Sequence, residues 1–145
     1  MSKQSIGSVA VLFVLSLLLG FLVHGLLLSA DYGRLGSFMR GDAVGSHQIL
    51  AQLAAHLLIA IGLTALYRQG CEAGKGWAGQ GLRFGLIFAI AATVPTYLIY
   101  YAVQPWPAAL VGKQIVCDTF ALVMLGVVTA ALNRPTAAPA TAEAL

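Results

Sequence analysis

Residues Ile115–Leu132 read IVCDTFALVMLGVVTAAL, an apolar run that contains one acidic residue, Asp118. About 20 consecutive apolar residues are long enough to cross a bilayer as a helix. Asp118 stands out because an ionisable side chain at the centre of a membrane helix costs about 2.5–3.5 kcal/mol on insertion scales. We therefore interpret Asp118 as either a functional residue or a residue that holds helices together, and the sequence leaves both roles open.

Three further runs of this kind precede it, and they determine the class of the protein. The chain is 59% hydrophobic and 9% charged, whereas a soluble domain usually carries about 25% charged residues. Backbone groups in lipid must pair within the segment, so each run is expected to be helical. Short connections make neighbouring helices antiparallel, which predicts an all-α, up-down-up-down four-helix membrane bundle. We predict spans at residues 6–28, 47–67, 81–103 and 111–132.

These spans predict one transmembrane domain over residues 1–132, followed by a tail at 133–145 whose Pro, Ala and Thr content is typical of disorder. The first run is longer than the roughly 7–15 apolar residues of a signal peptide, so we expect it to be retained as a span. We expect no disulfide, because Cys71 lies in a loop on the side of the termini and Cys117 lies in the opposite half of the last span.

The basic residues predict an orientation. Four spans place both termini on one side of the membrane, which would carry five basic residues against three on the other. The five are Lys3, Arg68, Lys75, Arg83 and Arg134, and the three are Arg34, Arg40 and Lys113. Because cytoplasmic loops are enriched in Lys and Arg, we expect both termini to be cytoplasmic.

Polar side chains recur at helical spacing in the half of each span that is remote from the termini, here called the outer half. On the second span, Gln48, Gln52 and His56 are spaced i, i+4 and i+8 and therefore share one face. Comparable stripes are Ser16, Gly20 and His24 on the first span, Thr93, Tyr97 and Tyr100 or Tyr101 on the third, and Gln114 and Asp118 on the fourth. Since lipid offers no hydrogen-bond partner, such stripes are expected to face the bundle interior or a protein partner.

The stripes define a candidate intramembrane polar site, whose residues are Asp118, His56, Tyr97, Gln52 and His24. We expect an outer-half pocket centred on His56, Tyr97 and Asp118, with His24 closer to the membrane surface. The alternative is a purely structural role, because interhelical hydrogen bonds in membranes contribute about 0.6–2 kcal/mol. The inner half of the spans is nearly all aliphatic, so no polar path is expected to continue from Asp118 towards the termini.

Gly81 and Gly85 form a pair of small residues at helical spacing, extended by Ala89. Such pairs let helices approach closely. The sequence leaves open whether this pair serves packing within the chain or dimerisation.

Other chemistries find little support. The loop from Gly70 to Gly76 reads GCEAGKG, which departs from the phosphate-binding pattern GxxxxGK[ST] in its spacing and in its last residue. His47 and His56 are nine residues apart and point to opposite sides of a helix, and no Cys/His metal spacing occurs. We expect no cofactor, no metal site, no enzymatic nucleophile and, because no basic stripe is present, no nucleic-acid partner.

The chain resembles a loose group of small, uncharacterised bacterial four-span membrane proteins. The resemblance rests on three stretches: Val23-His24-Gly25 with Asp31-Tyr32, the GQGLRFG motif at 79–85, and Val94-Pro95 followed by Tyr101, Pro105 and Pro107. It implies a bacterial inner-membrane location and a four-span topology, and it assigns no catalytic residue.

Two functional classes follow. The first is a structural or accessory subunit, or an assembly factor, of a larger membrane complex, with the lipid bilayer and a protein partner or a second copy as its contacts. The second is a small oligomeric transporter or channel-like protein that uses His56 and Asp118 as a proton, cation or small-molecule site, since such residues are typical of relay groups in transporters. An enzyme acting on lipid is a third and weaker class.

Overall fold

The computed structural model describes residues 3–36 and 45–134, and every regular element within these ranges is helical. Helix α1 (Lys3–Gly20) continues as a π-helical segment (Phe21–Leu27), and a short helix α2 (Ser29–Gly33) follows. The remaining elements are α3 (Ser46–Gly70), α4 (Trp77–Phe88), a second π-helical segment (Ala89–Thr93), α5 (Val94–Val103) and α6 (Ala108–Leu132). The predicted all-α helical bundle is confirmed.

Four of these helical stretches are long and apolar enough to cross a membrane, which makes the chain a multi-pass membrane protein. In chain order they are Lys3–Leu27, Ser46–Gly70, Trp77–Val103 and Ala108–Leu132, here called the first to fourth spans. The region 37–44, which includes Arg40 and Asp42, and the predicted tail from 135 onward lie outside the described residues.

Side-chain contacts show that the spans alternate in direction. At the start of the first span Gln4 Nε2 donates to the carbonyl oxygen of Leu132 at 2.9 Å, so the beginning of the first span and the end of the fourth lie together. Arg68, near the end of the second span, donates to Asn133 Oδ1 at 3.3 Å. Both ends of the described chain therefore lie at the same end of the bundle.

The second and third spans extend further at their inner ends than the sequence predicted. Arg68 and Trp77, expected in a loop, are helical, and each contacts the end of the fourth span, Arg68 at Asn133 and Trp77 at Arg134. Gln80 accepts a hydrogen bond from the backbone N–H of Glu72 at 2.7 Å and donates to the carbonyl oxygens of Glu72 and Lys75, both at 3.1 Å. These bonds fasten the connecting loop onto the first turns of α4.

The spans pack in the spatial order third, fourth, first, second. The third and fourth spans form the most extensive pair, the first packs on both the fourth and the second, and the second makes a smaller contact with the fourth. The second and third spans, which would close a ring, are not among the closely packed pairs of the described chain.

Glycines explain the close pairing of the third and fourth spans. A Cβ added to Gly85 would lie 2.6 Å from the carbonyl oxygen of Leu122, and one added to Gly81 would lie 2.7 Å from Val127 Cα. Gly126 of the fourth span faces them, since its Cβ would lie 2.7 Å from Gly85 Cα. The Gly81/Gly85 pair is therefore used for packing within the chain.

The inner half of the bundle is filled by apolar side chains. Its core consists of Leu12, Ala60, Leu63, Ala89, Leu122 and Leu125. The hydroxyls of Thr64 and Thr129, which are buried there, donate to carbonyl oxygens of their own helices at 2.9 and 2.7 Å. Because these groups are satisfied locally, they leave no polar path between the helices.

Candidate functional site

Asp118 lies in the fourth span between donors from two other spans. The Tyr97 hydroxyl of the third span donates to Oδ2, and His24 Nε2 of the first span lies 3.3 Å from Oδ1. In the described part of the chain, the Lys and Arg side chains that form ion pairs do so with Glu72 and Asp31 and not with Asp118. The Asp118 carboxylate is thus stabilised by a phenol and an imidazole, with its side chain 19% exposed.

His24 connects Asp118 to the outer end of the bundle. Its Nδ1 lies 2.7 Å from the Tyr32 hydroxyl, and Gln114 Nε2 donates to the same hydroxyl at 2.9 Å. Burial raises the pKa of the Tyr32 phenol, so the hydroxyl keeps its proton and can donate it to His24 Nδ1. The ring proton of His24 is then on Nε2, the nitrogen that faces Asp118. Hydrogen bonds therefore link Gln114, Tyr32 and His24, and His24 in turn contacts Asp118.

Both π-helical segments adjoin this cluster. One contains His24, and the other ends at Thr93, one helical turn before Tyr97. Pro95 stands at the start of α5, directly after the second segment. A proline cannot donate the backbone hydrogen bond of a regular helix, and here the helix is wider in the turn that precedes it. Single π-helical turns within membrane helices and soluble helices occur frequently at functional sites.

His56 faces the first span rather than Asp118. Its Nδ1 lies 3.1 Å from Ser16 Oγ, and the Ser16 hydroxyl donates to the carbonyl oxygen of Phe13 at 2.9 Å. Gly20 permits this approach, since a Cβ there would lie 2.9 Å from His56 Cε1. Because the Ser16 proton is already committed, Ser16 Oγ accepts a hydrogen bond from His56 Nδ1–H. Neutral His56 therefore presents an unprotonated Nε2.

These residues border a cleft of about 460 Å³ within the membrane-spanning part of the bundle. All four spans contribute to its walls. The polar lining residues are Ser16, His24, Gln52, His56, Thr93, Thr96 and Asp118, and the apolar ones include Leu19, Ile59, Phe88, Leu122 and Leu125. Among the described residues, no lysine or arginine lines it.

The structure thus brings the predicted site residues together in two groups. Asp118, Tyr97 and His24 are in direct contact, whereas His56 and Gln52 line the cleft from the second span and make no hydrogen bond to Asp118. His24 and His56 both line the cleft, and His24 is the one that contacts Asp118, because the first span packs directly on the fourth. Tyr97 contacts Asp118 without lining the cleft and borders a smaller cavity of about 120 Å³.

Tyr32 is the residue of the cluster that hydropathy could not indicate, because it lies in the short helix α2 beyond the first span. Its spacing from His24 is the signal that could have found it. Residues eight positions apart lie on the same face of a helix, and the chain stays helical for most of the stretch between them. Tyr100 and Tyr101, by contrast, are each 47% exposed.

The outer rim and the inner end of the site differ in character. At the rim, Lys113 Nζ lies 2.7 Å from Asp31 Oδ2, next to Tyr32 in the chain. At the inner end, the rings of Tyr67 and Phe84 meet edge to face with centroids 5.4 Å apart, which joins the second and third spans there. This contact bridges the second and third spans on the side of the cleft that faces the termini.

The residues described include no group of three His, Cys, Asp or Glu side chains arranged to hold a metal ion. Both cysteines, Cys71 and Cys117, are free thiols.

Comparison of the chain with protein-family models, with curated protein sequences and with solved structures gives no match.

Proposed function

We propose that this chain is a bacterial inner-membrane protein that binds a small molecule inside the bilayer and serves as a small transporter or carrier. The observation that carries the proposal is the cleft itself, into which all four spans direct polar groups around Asp118 and His24. Ligand pockets typically enclose about 300–1,000 Å³, with mainly apolar walls and a few convergent polar groups. The cleft has this size and this composition.

A purely structural role explains the cavity less well. Side chains that only hold helices together are expected to be closely packed, since protein interiors leave few voids larger than a water molecule. Here Asp118 and His24 contact each other across spans and also border open space. Acidic and histidine residues within membrane spans are typical of ion and substrate pathways, and this favours binding.

The cleft lies in the outer half of the bundle, and the contact between Tyr67 and Phe84 bridges the second and third spans further in. For a transporter, this arrangement corresponds to one access state, in which the site is reached from the outer half. Because every residue of the site comes from one chain, the site needs no second copy, although a transporter of this size would be expected to work as an oligomer. The proposed orientation has both termini in the cytoplasm. It rests on the basic residues at the inner end of the described bundle, which are Lys3, Arg68, Lys75, Arg83 and Arg134.

Native mass spectrometry of the protein, extracted from its own membrane in mild detergent, tests the proposal. We expect a small-molecule adduct on the wild type that is lost in Asp118→Asn, because the amide removes the charge that the cleft offers to a ligand. The matched control is Glu72→Gln, which removes a carboxylate in the inner loop between the second and third spans, away from the cleft, and should keep the adduct. An Asp118→Asn protein that keeps the adduct and merely melts at a lower temperature would show that Asp118 is structural.

An accessory subunit or assembly factor is the second candidate. The third span supports it, because its apolar surface is the least buried of the four and is available to a partner helix as well as to lipid. The same purification separates the two candidates: a larger complex in fixed stoichiometry favours the subunit, and an isolated protein with a bound small molecule favours the carrier.

A further inference from the structure

The cleft opens sideways into the bilayer. The second and third spans contribute Gln52 and Thr96 to its walls but do not pack closely on each other, and both side chains are exposed. Further in, the contact between Tyr67 and Phe84 closes the same gap. A ligand can therefore enter between the second and third spans, at the depth of the lipid chains.

The depth of the opening selects for an amphiphile. Gln52 lies in the second turn of the second span and Thr96 about two turns from the end of the third, so the opening faces hydrocarbon rather than water. Leu19, Ile59 and Phe88 provide an apolar wall inside it. A molecule that reaches the polar groups by this route must itself partition into lipid.

The polar groups left free in the cleft accept hydrogen bonds. His56 Nε2 is unprotonated in the neutral ring, because Nδ1 donates to Ser16, and it has no partner among the described residues. Each oxygen of the Asp118 carboxylate has two lone pairs; Oδ2 accepts from the Tyr97 hydroxyl, and His24 Nε2 lies 3.3 Å from Oδ1. The Gln52 amide and the Thr93 hydroxyl, which have no partner among the described residues, can both donate and accept. Among the described residues, the free groups that only accept are therefore Asp118 and His56 Nε2, and no Lys or Arg lines the cleft.

We propose that the cleft binds an amphiphilic primary amine in its ammonium form, with the ammonium group between Asp118 and His56 and the apolar body along Leu19, Ile59 and Phe88. The inference rests on the proposed binding function and names the class of ligand. An ammonium group has three donors and no acceptor, which matches the free groups of the cleft. It also offsets the negative charge of a carboxylate that has no Lys or Arg partner within the described residues.

Other head groups match less well. An alcohol supplies a single donor and no charge, so it leaves the Asp118 carboxylate uncompensated. A carboxylate or phosphate ligand would place a second negative charge beside Asp118 in a region of low dielectric constant, where like charges repel strongly. The described lining of the cleft contains no Lys or Arg to relieve that repulsion.

The test uses the full chain in nanodiscs of zwitterionic phosphatidylcholine, with tritiated 4-phenylbutylamine as the probe. Binding to nanodiscs without protein is subtracted to remove partitioning into lipid. We expect saturable binding of one amine per chain, with 4-phenylbutanol competing at least about tenfold more weakly, which corresponds to about 1.4 kcal/mol, and with 4-phenylbutyrate not competing. Asp118→Asn should weaken amine binding to a similar degree, and the matched control Glu72→Gln, in the inner loop, should not change it.

A third variant separates the ligand class from the cleft. Ala92 lines the cleft and is exposed, so Ala92→Trp places an indole in the opening with little strain on the fold, which its melting temperature verifies. One outcome would show that the amine class is wrong while binding in the cleft is correct. In that outcome the alcohol binds as tightly as the amine, Asp118→Asn weakens the binding of neither ligand, and Ala92→Trp abolishes the binding of both ligands. Absence of saturable amine binding, or amine binding that Ala92→Trp leaves unchanged, overturns the inference. The proposed binding function is then decided separately, by whether native mass spectrometry finds a small-molecule adduct on the wild type that Asp118→Asn loses.

Discussion

Asp118 is accommodated in an apolar span by neighbours that carry protons rather than by a basic side chain. Tyr97 and His24 reach it from two different spans, and His24 is in turn held by Tyr32. Hydrogen bonds to a charged group contribute more than those between neutral groups. The cost of placing the carboxylate in the membrane is therefore offset only when three spans and α2 are assembled.

At this scale we predict that Tyr97→Phe lowers the free energy of unfolding by about 1–2 kcal/mol, because it removes one donor from Asp118 and keeps the ring. Thermal or denaturant unfolding in detergent measures the effect. Tyr101→Phe is the matched control: it lies on the same span, is 47% exposed and has no hydroxyl partner among the described residues. Equal stability of the two variants would mean that the bond to Asp118 contributes nothing measurable.

At the scale of elements, the third and fourth spans form the rigid half of the molecule. Gly81, Gly85 and Gly126 bring the two backbones into contact, and Ala89 continues the same face fully buried. Van der Waals contact over small residues is a principal source of helix association in lipid, where the hydrophobic effect is absent. This pairing fixes the register that places Tyr97 against Asp118.

We predict that Gly85→Ala destabilises the protein by about 1–3 kcal/mol, the usual cost of forcing an extra carbon into a packed core. The new Cβ would lie 2.6 Å from the carbonyl oxygen of Leu122, and backbone cannot yield as a side chain does. Melting temperature in detergent provides the measurement.

Gly79→Ala is the matched control, because Gly79 lies in the same helix and a Cβ there meets nothing within 4 Å. Alanine at that position should leave stability unchanged or raise it slightly, since alanine favours helices over glycine. A Gly85→Ala protein as stable as the Gly79→Ala protein would contradict the close packing of the two spans.

The four spans form a bundle in which the second and third spans are the pair that does not pack closely among the described residues. The inner end is tied together by bonds between Gln4 and Leu132, between Arg68 and Asn133, and by Arg134, whose guanidinium carbon lies 4.2 Å from the centre of the Trp77 ring. The outer half keeps a gap between the second and third spans. The arrangement places stability at the end that carries the termini and leaves the cleft accessible at the other.

The proposed orientation predicts which side of the membrane exposes Cys71, in the loop between the second and third spans. In a Cys117→Ala background, a membrane-impermeant maleimide should label Cys71 in inside-out vesicles and not in intact spheroplasts. A cysteine introduced by Arg34→Cys, at the opposite end of the bundle, provides the reciprocal control. Labelling of Cys71 in intact spheroplasts would reverse the orientation.

The sequence alone determined the four helices and the half of the bundle that carries polar side chains. Both follow from local properties: hydropathy over about 20 residues selects a membrane helix, and spacing of three or four residues places Gln52 with His56, and Gln114 with Asp118, on one face. The ends of the second and third spans were less well predicted, because Arg68 and Gln80 are held in place by distant or loop partners.

Only the tertiary structure decided which histidine pairs with Asp118. The sequence favoured His56, and spacing gave no means of ranking it against His24. The first span packs directly on the fourth, which brings His24 to Asp118, while Gly20 lets His56 turn towards Ser16. The incomplete closure between the second and third spans, and hence the cleft, likewise depends on which helix pairs pack most closely. Which helices pair depends on how well the surfaces of two different spans fit each other, and no single stretch of sequence shows this.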